Sequence, residues 1–221
     1  MANRFTEPDE GLEPRPDLEQ REGEDDEIFA LVEMAMTEIR KATDSLASGD
    51  LSVDAWYDQM ADILYAYHLA GWYVGSGADD DPTDEQMDDL AEFMAQELEY
   101  LDNFRNDLLK EKDDILAPSY RNRAELYGWA TGVSFWRGYA GGYGIRLPFY
   151  PGEKSRCQRR CLCRWDITIV DIEQGKYEAT WLLGSTEDHC DECVARANGL
   201  KPLRIDKGEY DQKQVTAKMV M

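Results

Sequence analysis

Residues 157–193 read CQRRCLCRWDITIVDIEQGKYEATWLLGSTEDHCDEC, and this stretch decides how the chain is organised. All five cysteines fall in it, as Cys157-x3-Cys161-x-Cys163 and Cys190-x2-Cys193. Between the two groups, Trp165, Ile167 and Ile169 alternate with Asp166 and Thr168, and Tyr177, Ala179 and Trp181 alternate with Glu178 and Thr180. Period-two alternation predicts two strands with one buried face, and Gln174-Gly175 supplies the turn of a β-hairpin. A two-stranded hairpin is marginal in water on its own.

Cysteine groups at both ends of such a hairpin are the layout of a zinc ribbon. Each short turn offers two thiolates to one tetrahedral ion, and the bound metal supplies the stability that the small module lacks. One structural zinc is therefore expected, with Cys157, Cys161, Cys163, Cys190 and Cys193 as candidate ligands. Cys190 and Cys193 lead the assignment. Cys161 and Cys163 share a face if that stretch is extended, Cys157 and Cys161 fit a wider turn, and His189 beside Cys190 is a further donor. Two other readings of the cysteines stay open. Cys190 and Cys193 also suit dithiol redox chemistry, and buried free thiols are common. Arg156, Arg159, Arg160 and Arg164 interleave with the first group as the densest basic cluster in the chain. They are the candidates for contact with a nucleic-acid backbone, or for pairing with the chain's own acidic helices.

Working toward the N-terminus, the extended stretch holding Pro148 and Pro151 reads as a linker after the glycines at 141, 142 and 144. Four helices precede it. The first is expected over about 26–47, with Ile28, Val32, Ala35 and Ile39 on one face. The second covers about 53–74 behind an N-cap at Ser52, with Trp56, Met60, Ile63, Tyr67 and Trp72 buried. The third opens with a capping box, Thr83 and Gln86, and runs to about 112 on Met87, Leu90, Met94, Leu98, Leu101 and Leu108. The fourth runs from near Ser119 to about 140 and is rich in aromatics. Gly128 and Gly132 are expected to let another backbone approach it closely. Residues 1–26 hold three prolines and little that is apolar, and read as an extended acidic arm. The organisation is then an arm at 1–26, a helical body at 27–145, a Cys-rich hairpin module at 146–200 and a tail at 201–221. The fold class is mainly α: an acidic four-helix body with a small C-terminal β-hairpin of zinc-ribbon type.

The charge is uneven. Of the formal net charge of −22, residues 1–120 carry 33 acidic against 8 basic side chains, and residues 121–221 carry 13 against 16. An acidic first half repels phosphates at close range and favours basic protein surfaces. No signal peptide and no apolar run long enough to span a membrane is visible, so a cytosolic setting is expected. There, grouped cysteines more often hold metal than form disulfides.

Catalytic patterns fit poorly. Zinc deaminases need an HxE turn together with a PCxxC turn, whereas His68 is followed by Leu69 and Ala70. No GxSxG, Walker loop or HExxH occurs. His68 lies in an aromatic helix and reads as a packed side chain. The expectation is a protein without catalytic residues.

Three stretches together resemble phage minor head proteins of the head morphogenesis family that includes the Mu F-like proteins. They are AWYDQMADILYAYHLAGWYVGSG with the following TDEQMDDLAEFMAQELEYLDNFRNDL, then RNRAELYGWATGVSFWRGYAGG, then CQRRCLCRWDI…ATWLLGSTEDHCDECVARANGL. The resemblance implies a structural, portal-associated or capsid-associated protein of the virion head, assembled in the host cytoplasm and acting in head assembly. Its partners would be the phage portal or major capsid protein, or copies of itself in the particle. Packaged DNA would lie nearby without being a specific ligand, and no membrane would be involved.

Overall fold

A computed structural model of the chain describes residues 24–77, 81–110, 118–153, 161–184, 189–210 and 212–219. Most of the expected arm, together with Cys157, Arg156, Arg159 and Arg160, lies outside these residues. The protein is mainly helical, with a small antiparallel sheet near its C-terminal end. None of the described helices is long and apolar enough to cross a membrane.

Four long helices form the body: α1 (Glu24–Ser48), α2 (Val53–Ser76), α3 (Asp84–Lys110) and α4 (Pro118–Gly142). Their starts follow local chemistry. The Ser52 hydroxyl accepts a hydrogen bond from the Ala55 amide at 3.1 Å and caps α2. The expected capping box closes at α3, where the Thr83 amide donates to Gln86 Oε1 at 2.8 Å and the Gln86 amide donates to Thr83 Oγ1 at 3.3 Å.

Helix α4 packs on both α1 and α2, and α3 packs chiefly on α2. The contact of α2 with α4 is made backbone to backbone. A Cβ added to Gly75 would lie 1.9 Å from the Phe135 carbonyl oxygen, and one added to Gly138 would lie 2.0 Å from that of Trp72. The glycines expected to permit close approach were Gly128 and Gly132. Gly128 does face Met36 tightly, but Gly132 has ordinary room. The buried line of α2 also differs from expectation. It passes through Leu64 and His68, with Ile63 and Tyr67 only partly covered. Three partners, α1, α3 and α4, pack on α2, so its covered face is wider than a single stripe. On α3, Phe93, Glu97 and Phe104 are buried where Met87 and Leu98 were expected.

The hairpin forms as read, from β1 (Arg164–Asp171) and β2 (Lys176–Leu182), with Trp165 opposite Trp181 and Ile167 opposite Ala179. It is not alone. After α5 (Asp191–Gly199), β3 (Leu203–Asp206) adds to β2, and β4 (Glu209–Tyr210) adds to β3, before α6 (Gln212–Met219). Residues given to a tail thus complete a four-stranded sheet. The stretch given to a linker is core. Tyr143, Ile145, Leu147 and Phe149 are buried at every second position, followed by Tyr150. They join one hydrophobic cluster that holds Phe93 of α3, Phe135 and Trp136 of α4, Trp165 and Trp181 of the sheet, and Leu200 and Leu203 beyond it. A second cluster, around Trp56, Leu101 and Phe104, fills the other part of the helical body.

A half-buried ionic cluster binds the joint between body and sheet. Arg137 of α4 pairs with Asp89 of α3, and reaches Glu153 at 2.8 Å. Arg146 pairs with the same Asp89. The Arg137 guanidinium also lies 4.9 Å from the Phe93 ring centre and 4.8 Å from that of Tyr150.

Candidate metal centre

Cys161 and Cys163 stand two residues apart immediately before β1. This stretch is held against the end of the hairpin at Gly184, where a Cβ would lie 2.1 Å from the Leu162 carbonyl oxygen. Only glycine permits that approach. Opposite, α5 begins with Cys190 at its N-cap and brings Cys193 into its first turn. The sulfurs of Cys161, Cys163 and Cys193 all lie within 4.8 Å of one another.

Cys161 Sγ and Cys193 Sγ are 3.7 Å apart. A tetrahedron with zinc–sulfur bonds of about 2.3 Å has edges of about 3.8 Å, so this pair already spans one edge. Cys163 and Cys193 are buried, at 3% and 1% exposure, and Cys161 is half-buried. Hydrogen bonds with Cys161 and then Cys163, together with burial, push the Cys193 thiol above its ordinary range. A thiophilic cation is the group that would replace the proton of a thiol buried and crowded as Cys193 is. The donor set, its spacing and its burial all fit such an ion.

Cys190, expected to lead the ligand set, stands outside the group of three. Its thiol donates to Glu192 Oε2 at 3.7 Å, and its side chain makes no capping hydrogen bond to α5. His189 precedes it, also half-buried. Arg164 starts β1 on its exposed face.

Sequence reasoning missed α5 and, with it, Arg196. That side chain is buried, with its guanidinium carbon 4.0 Å from the Phe149 ring centre and 5.2 Å from that of Trp181. Arg196 lies three residues after Cys193, so the turn that carries the thiol is pinned to the aromatic floor of the sheet. Trp165 and Trp181 meet edge to face at 5.1 Å, and Trp165 Nε1 donates to the Phe149 carbonyl at 3.0 Å. A helix start was legible in Asp191 and Glu192 followed by an apolar Val194 and a late Arg196. His68 is a packed side chain, as expected, with Nδ1 2.7 Å from Ser134 Oγ.

Comparison of the chain with known protein families, curated proteins and solved structures returned no match.

Proposed function

We propose that the protein is a non-enzymatic structural component of a phage head, acting in head assembly or stabilisation, whose C-terminal module is held by one structural zinc ion. The observation that carries the metal is the meeting of three thiols from two separated sequence groups, with one sulfur pair at the edge length of a zinc tetrahedron. Cys161, Cys163 and Cys193 would be three ligands, and the fourth would come from Cys190, Cys157 or His189. Bound there, zinc would link the approach to β1 with the start of α5 and so close the module covalently in all but name.

A structural role is supported by where the thiols stand. They border the shared hydrophobic cluster that joins the helical body to the sheet. The phage assignment rests on the sequence resemblance. The exposed acidic faces, such as Asp58 and Asp62 on α2 and Asp88 and Glu92 on α3, support a protein partner with basic surface, as the portal or major capsid protein would be. They support DNA as a neighbour and not as a ligand.

Elemental analysis of the purified chain tests the metal, with about one zinc per chain expected. Fractionation of phage lysates with an antibody to the protein tests the location. Recovery with intact heads is expected, and recovery only in the soluble fraction would overturn the virion assignment.

A further inference from the structure

The thiol group offers more than a metal seat. Cys161 is the half-buried member and lines an opening between α1 and α4, beside Ile28, Val32 and Trp129. Cys163 lines the same opening but is buried, at 3% exposure, and Cys193 lies outside its lining, buried at 1%. A small reagent entering from solvent meets Cys161 first, and the sulfur 3.7 Å further in belongs to Cys193. Cys190 is placed differently. Its thiol faces the Glu192 carboxylate, and a thiolate there would confront a like charge. The Cys163 sulfur lies within 4.8 Å of both others but is buried, so a reagent from solvent reaches it less readily than Cys161.

We infer that this site is also a thiol–disulfide switch, in which Cys161 and Cys193 form the bond and the sequence-adjacent pair Cys190 and Cys193 does not. The inference rests on the thiol site of the proposed function and names its regulation. The reaction partner is a low-molecular-weight disulfide. The Cys161 thiolate attacks one of its sulfurs, the bond between those sulfurs breaks, and one small thiolate leaves. The small thiolate released first takes the Cys193 proton, Cys193 attacks the Cys161 sulfur, and the second small thiolate departs. Two protein thiols lose two electrons and two protons, and the small disulfide becomes two thiols. The approach of about 1.7 Å that a 2.05 Å sulfur–sulfur bond requires falls to Cys161, which sits in a stretch without regular structure, while α5 holds Cys193. The new bond uses up two of three metal donors, so the metal-held and disulfide-held states exclude each other. Both join the same two points of the chain. Thiols persist in reducing compartments and disulfides outside them. A protein carried from one to the other would keep its module closed by exchanging one link for the other.

The test uses the full chain, stripped of metal with a chelator, exposed to oxidised glutathione and digested with trypsin without reduction. The expected product joins the peptide 161–164 to the peptide 177–196. The link persists in Cys190→Ser and in Cys163→Ser, and falls at least tenfold in Cys161→Ser. A disulfide confined to 177–196, a link that survives Cys161→Ser, or no disulfide at all would overturn the inference. Zinc content of the same preparation before stripping separates the two ideas. Zinc present without the cross-link defeats the switch alone, and the cross-link without zinc defeats the metal alone.

Discussion

Gly75 of α2 faces the Phe135 carbonyl of α4 so closely that a methyl group at Gly75 would lie 1.9 Å from that oxygen. Backbone cannot rotate aside as a side chain can, so Gly75→Ala must push the helices apart. Overpacking of this kind costs about 1–3 kcal/mol, against a gain of up to about 1 kcal/mol in helix propensity. A net loss of about 2 kcal/mol is expected in urea unfolding. Gly132→Ala, whose nearest neighbour is Ile28 Cδ1 at 3.5 Å, is expected to be neutral or stabilising. Equal effects of the two substitutions would show that the helices are not in backbone contact.

Asp89 serves two arginines, Arg137 and Arg146. Asp89→Asn leaves the nearly buried Arg137 charge with Glu153 as its remaining carboxylate partner among these contacts. Removing one member of a buried pair costs about 3–5 kcal/mol. Part of that is retained through Glu153, so a loss of about 3 kcal/mol is expected. In a double-mutant cycle with Arg137→Met, the two losses should fall well short of adding. Simple additivity would contradict the pairing.

The Tyr150 phenol is fully buried, and burial pushes its pKa up to about 12. Unfolded tyrosine ionises near 10. Below pH 10 both states hold the proton and stability is unaffected. Between about pH 10 and 12 only the unfolded state loses it, so folding weakens by roughly 1.4 kcal/mol per pH unit. Tyr150→Phe removes this contribution while forfeiting the hydrogen bond that the Leu147 amide donates to the hydroxyl. The variant should be about 1 kcal/mol less stable at neutral pH and should show a shallower alkaline decline than the wild type. An unchanged slope would place the phenol in contact with solvent.

Metal removal should act through the same three sulfurs. A chelator is expected to lower the melting temperature by roughly 10 °C, the scale of a 4 kcal/mol loss in a chain of this size. It should also flatten the near-ultraviolet circular dichroism of the Trp165–Trp181 pair. Cys193→Ala should melt at the lower temperature with or without chelator. A chelator effect that persists in this variant would mean that the metal sits elsewhere.

The long helices were legible because propensity, caps and stripe agreed. Ser52 and the Thr83–Gln86 pair fixed two starts to within a residue. The hairpin was legible because alternation and turn coincided at Gln174-Gly175. What escaped was non-local. Leu64 and His68 are buried because three helices pack on α2, which no single stripe encodes. Leu203 and Ile205 are buried because β2 has a free edge for them to join. Tyr143, Ile145, Leu147 and Phe149 do alternate, but Pro148 and three glycines nearby masked the signal. At the candidate metal centre, the cysteines marked the place. The sequence spacing made Cys190 equal to Cys193, and only the orientation of the first turn of α5 separates them.

The single hydrophobic cluster spanning α3, α4 and the sheet also bears on heredity. A crossover within residues 145–151 would hand the Cys-bearing module to a new helical body whose side chains had never been fitted to it. Phe93, Trp136 and Tyr139 would face unfamiliar neighbours, and so would Trp165 and Leu203. A Cys-bearing module moved without α3 and α4 would leave behind the side chains that complete its core.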